Sequence, residues 1–314
     1  MRILITGASG FVGSHLIAHL KSNENKITGT YYPKTSGNEP HIPGTDLVFL
    51  DIRKDKDMVR LIKDVRPNWV FHLAAISNVR HSWQARRETI ETNILGTFNL
   101  FEALKEYSPK ARVLFISSSD VYGNRPGSGD PYREEDPGYP VNPYAYSKLS
   151  GESLCRFYSD IEGMDVVVAR SFPHTGPGQS SDFVCSDWAN QVAQIEKGKI
   201  DPILQVGNLS VERDFLDVRD VVRAYAGLLS HGKRGELYNV CSGKAVALRK
   251  ILHLLLSFSP ESVEVRVDSD KLRKTDIPLL VGTNEKISQT ISWKPQIPLR
   301  VTLKDLLDFW RQSL

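Results

Sequence analysis

Tyr144 and Lys148 stand four residues apart in Tyr144-Ala-Tyr-Ser-Lys148, downstream of the hydroxyl row Ser117-Ser118-Ser119-Asp120. At that spacing two side chains share one face of a helix, so an ammonium can lie near a phenol. A phenol, with a pKa of about 10, is a slow acid that can be held in place. Lys148 would supply a cationic environment favouring phenolate in one direction of a reaction, and would also reach the ribose of a nicotinamide. Ser118 could donate to a substrate oxygen and stabilise charge growing on it. Asp120 has two readings: an auxiliary carboxylate that moves a proton on or off carbon, or a loop cap. Tyr146 lies two residues from Lys148 and so faces away from it. The set suits reversible hydride transfer between a carbonyl and an alcohol.

Such chemistry needs a hydride carrier. Gly7-Ala-Ser-Gly10-Phe-Val-Gly13 follows the apolar run Ile3-Leu-Ile5 directly. A glycine-rich turn between a strand and a helix seats a pyrophosphate, because close-packed backbone and free helix N–H groups face the anion. The three-residue spacing is looser than the G-x-G-x-x-G fingerprint, and its weight comes from the strand-turn-helix context. Gly7 permits the turn, Gly10 admits the pyrophosphate and Gly13 lets the helix approach the sheet. Asp51-Ile52 follows another strand and suits an adenine amine, with a helix cap as the alternative. An acidic residue at the end of the second strand would repel a 2′-phosphate. Thr28-Gly-Thr-Tyr-Tyr32 has none before Glu39, and Lys34 is the nearest cation. This leans towards NADPH and leaves NADH open.

The elements that must position these groups alternate. Strand patterns cover Arg2–Thr6, Lys26–Tyr31, Leu47–Leu50, Trp69–Leu73, Arg112–Ile116 and Asp165–Ala169. Helical patterns cover Phe11–Leu20, Asp55–Val65, Ala85–Glu106 and Tyr144–Tyr158. The expected fold class is α/β, a Rossmann-like doubly wound parallel sheet. Gly7, Asp51, Ala74 and Ser118 then fall beyond the carboxyl ends of strands, where such sheets bind ligands. After Arg170 the alternation weakens. Helices are expected at Ser181–Lys197, Val221–Leu229, Leu248–Leu256 and from Leu303, with strands at Arg213–Val218, Glu236–Val240 and Val263–Val267. Residues 1–172, completed by about 211–243, would form the dinucleotide-binding domain. Residues 173–210 and 244–314 would form a smaller substrate-binding domain. The polar Gly/Pro-rich stretch Gly123–Pro143 is long enough for a loop over a site.

The 40 basic and 37 acidic side chains are interspersed and leave a net charge of +3, so nothing demands nucleic acid or an anionic membrane. Cys155, Cys185 and Cys241 follow no metal or redox spacing and read as reduced packing residues. A strand beginning at Arg2 leaves no room for a signal peptide, and no apolar run reaches the ~20 residues of a membrane span. A cytoplasmic location is expected.

These residues resemble the extended short-chain dehydrogenase/reductase family over essentially the whole chain. The likeness is carried by the glycine turn Gly7–Gly13, Asp51-Ile52, His72-Leu73-Ala74-Ala75 and Asn93-Ile-Leu-Gly-Thr97. Ser118 before Val121-Tyr-Gly123, and Asn142-Pro-Tyr144-Ala-Tyr-Ser-Lys148, complete it. Within the family the chain is similar to the branch that reduces the C4 keto group of GDP-4-keto-6-deoxy-D-mannose to GDP-D-rhamnose. Ala75-Ile-Ser-Asn-Val79, Ser150-Gly-Glu-Ser-Leu-Cys155, Gly176-Pro-Gly-Gln179, Glu212–Val218, Tyr238–Gly243 and Ser292–Pro295 carry that likeness.

The resemblance implies catalysis by Ser118, Tyr144 and Lys148. It implies cofactor contacts from Gly7, Gly10, Phe11, Val12, Gly13, Asp51, Ile52, Leu73, Ala74 and Ala75, together with Tyr144 and Lys148. Ser77, Asn78, Ser119 and Asp120 would face the hexose, and Arg213 and Arg273 would hold the diphosphate. The planar fork of arginine matches phosphate oxygens. For Arg213 the alternative is a salt bridge with Asp214, Asp217 or Asp220. The resemblance also implies a homodimer through a four-helix bundle built from about Ser82–Glu106 and Tyr144–Tyr158. The partner molecule would be a GDP-linked 4-keto-6-deoxy hexose.

One departure stands out: the family carries Asn where this chain has Pro173, a residue without a side-chain donor. His174 and Thr175 are the neighbours that could compensate, and another 4-keto hexose, another base or UDP-sugar epimerisation stays open there. The rival reading is a GDP-mannose 4,6-dehydratase, which carries Thr-x-Glu where Ser118-Ser119-Asp120 stands. Aspartate is one methylene shorter than the glutamate that acts on the C5 proton. A dinucleotide-sensing protein without catalysis is the remaining class.

Overall fold

The computed structural model describes residues 1–22, 24–32, 41–124, 129–272 and 276–314. The first half of the chain runs β1 (Arg2–Thr6), α1 (Phe11–Leu20), β2 (Lys26–Tyr31), β3 (Asp46–Phe49), α2 (Asp55–Val65) and β4 (Trp69–His72). It continues through α3 (Val79–Gln84), α4 (Arg86–Ile90), α5 (Gly96–Tyr107), β5 (Arg112–Ser118), α6 (Pro143–Asp160) and β6 (Asp165–Ser171). Then come β7 (His174–Thr175), α7 (Val184–Glu196), β8 (Ile203–Val206), β9 (Glu212–Asp214), β10 (Leu216–Asp217), α8 (Val218–His231) and β11 (Leu237–Val240). The chain closes with β12 (Ala245–Ala247), α9 (Leu248–Leu256), β13 (Glu264–Val267), β14 (Leu279–Leu280), α10 (Glu285–Ile291) and α11 (Leu299–Ser313).

Seven strands form one parallel sheet in the order β11-β6-β5-β4-β1-β2-β3. Its strands are apolar on both faces because helices cover both. Alternate side chains divide the core accordingly. Ile3, Ile5, Phe71, Leu114 and Val167 face a layer built with α1 and α8. Leu4, Val70, Val113, Phe115 and Val166 face a layer built with α2, α5 and α6. This is the doubly wound, Rossmann-like arrangement. A third cluster joins α7, α9, α11 and β8 through Trp188, Leu204, Leu252, Leu303 and Leu307. No helix among the described residues is long and apolar enough to cross a membrane.

Strand order reverses at β1, where Thr6 pairs with His72 across the start of a crevice at the carboxyl edge. The turn after β1 and the Leu73-Ala74 stretch after β4 flank that crevice, the place where open α/β sheets take ligands.

The expected single helix over Ala85–Glu106 is broken. A π-helical turn, Glu91–Leu95, separates α4 from α5. Gly96 packs there so closely on Ile52 that a Cβ would stand 2.5 Å from its Cγ1. Asn93 is thereby turned inward, and π-bulges commonly mark such functional adjustments. The expected strand Arg213–Val218 is also split. β9 pairs antiparallel with β12, whereas β10 pairs with β7. Helix α8 then begins at Val218, where the Asp217 carboxylate accepts from the Arg219 N–H.

Candidate active site

Helix α6 starts at Pro143, whose missing N–H costs nothing at a first helical position, and the Asn142 side chain caps it by accepting from the Ala145 N–H at 2.8 Å. This places Tyr144 in the first turn, beside the end of β5. The Tyr144 hydroxyl stands beside Ser118 and lies within the field of the Asp120 carboxylate. Ser118 Oγ also accepts from the Asp120 N–H at 3.1 Å. Burial, then Asp120, push the phenol well above its ordinary range, against the lowering effect of Ser118. Tyr146 is 54% exposed.

One turn further along, Lys148 is 4% exposed; its ammonium donates to the Ile116 carbonyl at 2.7 Å and lies 5.1 Å from the Phe115 ring centroid. Burial pulls it down to about 8, against the raising effects of Cys155 and Glu152. The ammonium is engaged by the β5 carbonyl, and the forces acting on Tyr144 keep its proton on.

Gly7 has φ of +71° and packs so tightly on the β4 loop that a Cβ would lie 2.9 Å from Ala74 Cα. At Gly13 a Cβ would lie 2.4 Å from the Ala8 carbonyl oxygen. Gly10 at the N-cap of α1 offers no side chain to the first N–H groups, and α1 has no acidic residue in its first turn. Those donors suit a diphosphate, so the turn fits a dinucleotide. Phe11 follows, its ring stacked at 6.2 Å on His174. Val12 packs against the α1/α8 core.

The loop after β4 is held from both sides. The Leu73 N–H donates to the Thr6 carbonyl at 3.2 Å and the Ala74 N–H to Thr6 Oγ1 at 3.2 Å. Asn93 exchanges hydrogen bonds with the Ile76 backbone at 2.8 and 3.0 Å and donates to Ser147 Oγ at 2.8 Å. It thus ties the segment carrying Ala75 to the Tyr144 helix. His72 lies between Thr6 and Thr97 hydroxyls at 2.7 and 3.0 Å. Thr97 donates to the Asn93 carbonyl, so His72 Nε2 carries the ring proton. Burial, then the Lys148 charge, hold this histidine neutral, down to about 3.

At the far end of the crevice Asp51 forms a bidentate pair with Arg53, both contacts 2.8 Å. The helix-cap alternative for Asp51 is corrected, since Lys54 occupies the N-cap of α2. Arg53 also donates to the Tyr32 hydroxyl at 3.2 Å. Sequence reasoning passed over Arg53 and Tyr32, although Arg53 stands only two residues after Asp51. The Ile52 carbonyl accepts from Asn99 at 3.1 Å. Lys34 falls outside the described residues.

On the other side of the crevice Ser119 is buried and Ser77 exposed. Asn78 Oδ1 caps α3 through the His81 N–H at 2.9 Å, leaving its amide directed to the Asp182 carbonyl at 3.4 Å. Beside Pro173, Thr175 is committed to Gln179 Oε1 at 2.6 Å and His174 Nδ1 to the Phe172 carbonyl at 2.9 Å. Arg213 lies on a separate sheet, β12-β9-β14. Its ion-pair partner is Asp276, at 2.9 Å, and not Asp214, Asp217 or Asp220. Those three carboxylates serve Ser242 and Gly243, Arg219, and the Gln296 and Ile297 N–H groups instead. Arg273 lies outside the described residues.

Known proteins share this arrangement. A family model described as GDP-mannose 4,6 dehydratase matches residues 4–306. The GDP-6-deoxy-D-mannose reductase of Pseudomonas aeruginosa is 38% identical over 100% of this chain and 98% of its own length. The solved structure of RMD from Pseudomonas aeruginosa complexed with NADPH gives a TM-score of 0.84 at 34% identity, covering 100% of both chains. That of Thermus thermophilus UDP-glucose 4-epimerase complexed with NAD gives 0.89 at 27% identity, again over 100% of both. With the glycine turn, the hydroxyl row and the Tyr144/Lys148 helix gathered on one crevice, the chain belongs to the extended short-chain dehydrogenase/reductase family.

Proposed function

We propose that this chain reduces the C4 keto group of GDP-4-keto-6-deoxy-D-mannose with NADPH, giving GDP-D-rhamnose. The carrying observation is the grouping of Tyr144, Ser118 and the Lys148 ammonium at the carboxyl end of β5, with burial and the Asp120 charge keeping the phenol protonated. NADPH, when bound on the glycine turn, supplies the hydride. Tyr144 gives its proton to the C4 oxygen, and Ser118 orients that oxygen and stabilises the charge growing on it. Lys148 moves from the Ile116 carbonyl to the nicotinamide ribose and offsets charge left on the phenol. Gly7, Gly10, Phe11, Val12 and Gly13 seat the diphosphate. Asp51 and Ile52 meet the adenine, and Leu73, Ala74 and Ala75 line the floor.

Residues 1–172, completed by about 211–243, hold the cofactor in this proposal, and 173–210 with 244–314 hold the sugar nucleotide. Ser77, Asn78, Ser119 and Asp120 face the hexose. Arg213 and Arg273 take the diphosphate, Arg213 exchanging Asp276 for it. The Pseudomonas reductase at 38% identity supports the substrate, and the NADPH complex supports the cofactor. The working form is a homodimer through a four-helix bundle of α5 and α6 from each copy. Ile90, Leu95, Phe98, Tyr146, Phe157 and Ile161 are exposed on and beside these helices, a set that calls for a partner.

The test supplies the keto sugar made from GDP-mannose by a dehydratase and follows loss of the reduced-nicotinamide absorbance. Oxidation of NADPH with the keto sugar, and none with GDP-mannose alone, is expected. Consumption of GDP-mannose without net cofactor change would instead establish the dehydratase. Silence towards every nucleotide sugar would favour a sensing role.

A further inference from the structure

Behind the hydroxyl row lies a buried charged cluster that takes no part in the steps above. Glu152 and Arg170 form a bidentate ion pair at 2.8 and 2.7 Å, with side chains 8% and 7% exposed. Glu152 Oε1 also accepts from Ser117 Oγ at 2.5 Å. Arg170 lies 4.6 Å from the ring centroid of Tyr122, whose hydroxyl donates to Asn239 Oδ1 at 2.7 Å. A buried ion pair often contributes little net stability, because desolvation offsets its attraction. This one is joined to the edge that carries Ser118.

Residues 144, 148 and 152 are successive i, i+4 positions on one face of α6. Two of them hydrogen-bond β5, Lys148 to the Ile116 carbonyl and Glu152 to Ser117, and Tyr144 stands beside Ser118 at its end. We infer that Glu152 is a positioning residue, which pins the end of β5 through Ser117 and sets a carboxylate one turn from Lys148 on the same face of α6. Without the Glu152 bond, Ser117 loses its anchor beside Ser118, and the buried Lys148 loses a negative charge one turn away.

The groups facing this lysine are few. Cys155 and then Glu152 favour its charged form from α6, and burial keeps the Cys155 thiol itself protonated, which leaves Glu152 as the charge. His72 on β4 is neutral. Phe115 on β5 presents its ring, and Arg170 on β6 addresses Glu152. Glu102 on α5 is engaged by Tyr158, further along the helix, at 2.6 Å. Glu152 is thus the carboxylate that shares the α6 face with Lys148 and favours its charged form.

The test separates the two effects and depends on the reductase assignment in one arm only. In the free protein, ¹³Cε-lysine NMR follows the titration of Lys148, identified by its loss in Lys148→Met. Glu152→Gln alone strands Arg170, so it is paired with Arg170→Gln, and folding is checked by circular dichroism. The lysine is expected to titrate lower in the double variant than in wild type. In Glu152→Asp, which keeps the charge, it should titrate as in wild type. Ser117→Ala should leave that titration in place and lower kcat at least about tenfold, with NADPH affinity and the KM for the keto sugar little changed. An unshifted lysine in the folded double variant, a lower one in Glu152→Asp, or wild-type kcat in Ser117→Ala would overturn the proposal. Should wild type show no turnover, the reductase assignment fails and the NMR arm still decides the role of Glu152.

Discussion

Ser118 Oγ accepts from the Asp120 N–H at 3.1 Å and stands beside the Tyr144 hydroxyl, so one serine fixes the turn after β5 and borders the phenol. Burial, then the Asp120 charge, keep the proton on Tyr144. Tyr144→Phe keeps the ring in its buried slot and removes only the acid. It should lower kcat by about 10²–10⁴ while the NADPH dissociation constant, measured by fluorescence quenching, stays near wild type. Ser118→Ala should cost about 10²–10³ in kcat, the usual effect of deleting one preorganised donor. A Tyr144→Phe enzyme with wild-type turnover would remove the phenol from the mechanism.

Lys148 makes activity and stability respond to pH in opposite directions. Its folded value of about 8 lies below the ordinary 10.5, so between these limits the unfolded chain binds more protons. Stability from this group is therefore depressed below about 8 and recovers as pH rises towards the unfolded value. Activity depends on the ammonium, so kcat/KM should decline on a limb centred near 8, a value belonging to the free enzyme. Urea unfolding at mildly alkaline pH should show the matching upward slope, weakened in Lys148→Met. A flat kcat/KM through that range would separate the lysine from catalysis.

What could be read from the residues was local, and what could not was tertiary. The apolar run Ile3–Ile5 and the glycine turn announce β1 and α1, because burial on two faces and a φ that favours glycine leave few alternatives. The short strands β7, β8, β12 and β14 carried no period of their own and exist through their partners. The break before α5 is set by the approach of Gly96 to Ile52, 44 positions earlier in the chain, and no helical pattern records that. Tyr144, Ser118 and Asp120 lie together at the end of β5. Lys148, by contrast, found a backbone carbonyl, an acceptor that every residue carries and no motif marks. Arg213 likewise took Asp276, 63 residues away, over three nearer carboxylates. Glu152 passed unnoticed although it repeats the four-residue step from Tyr144 to Lys148.

The glycine turn gives a stability test linked to the cofactor. Gly7→Ala places a Cβ 2.9 Å from the Ala74 backbone at a φ of +71°, where neither side can yield cheaply. A cost of about 1–3 kcal/mol follows, read as a lower Tm. The same displacement pushes the β4 loop away from the crevice, so the rise in Tm that NADPH brings to wild type should shrink as well. An unchanged Tm together with a full NADPH-induced rise would show that the turn tolerates a side chain and does not meet the cofactor closely.

The exposed apolar set on α5 and α6 makes the last prediction. Leu95 and Phe98 are 44% and 42% exposed in the protomer, so replacing them with aspartate removes little packing within one copy. In a two-fold bundle the same residues meet their counterparts, and two desolvated carboxylates per copy would oppose association. Leu95→Asp/Phe98→Asp should therefore run as a folded monomer by light scattering, with an unchanged circular dichroism spectrum. Leu95 closes the π-helical turn that presents Asn93 to Ile76 and Ser147. Loss of the partner should loosen that turn and lower kcat as well as mass. A double variant that stays dimeric would place the interface elsewhere, and a fully active monomer would show that Asn93 holds the β4 loop without help from a second copy.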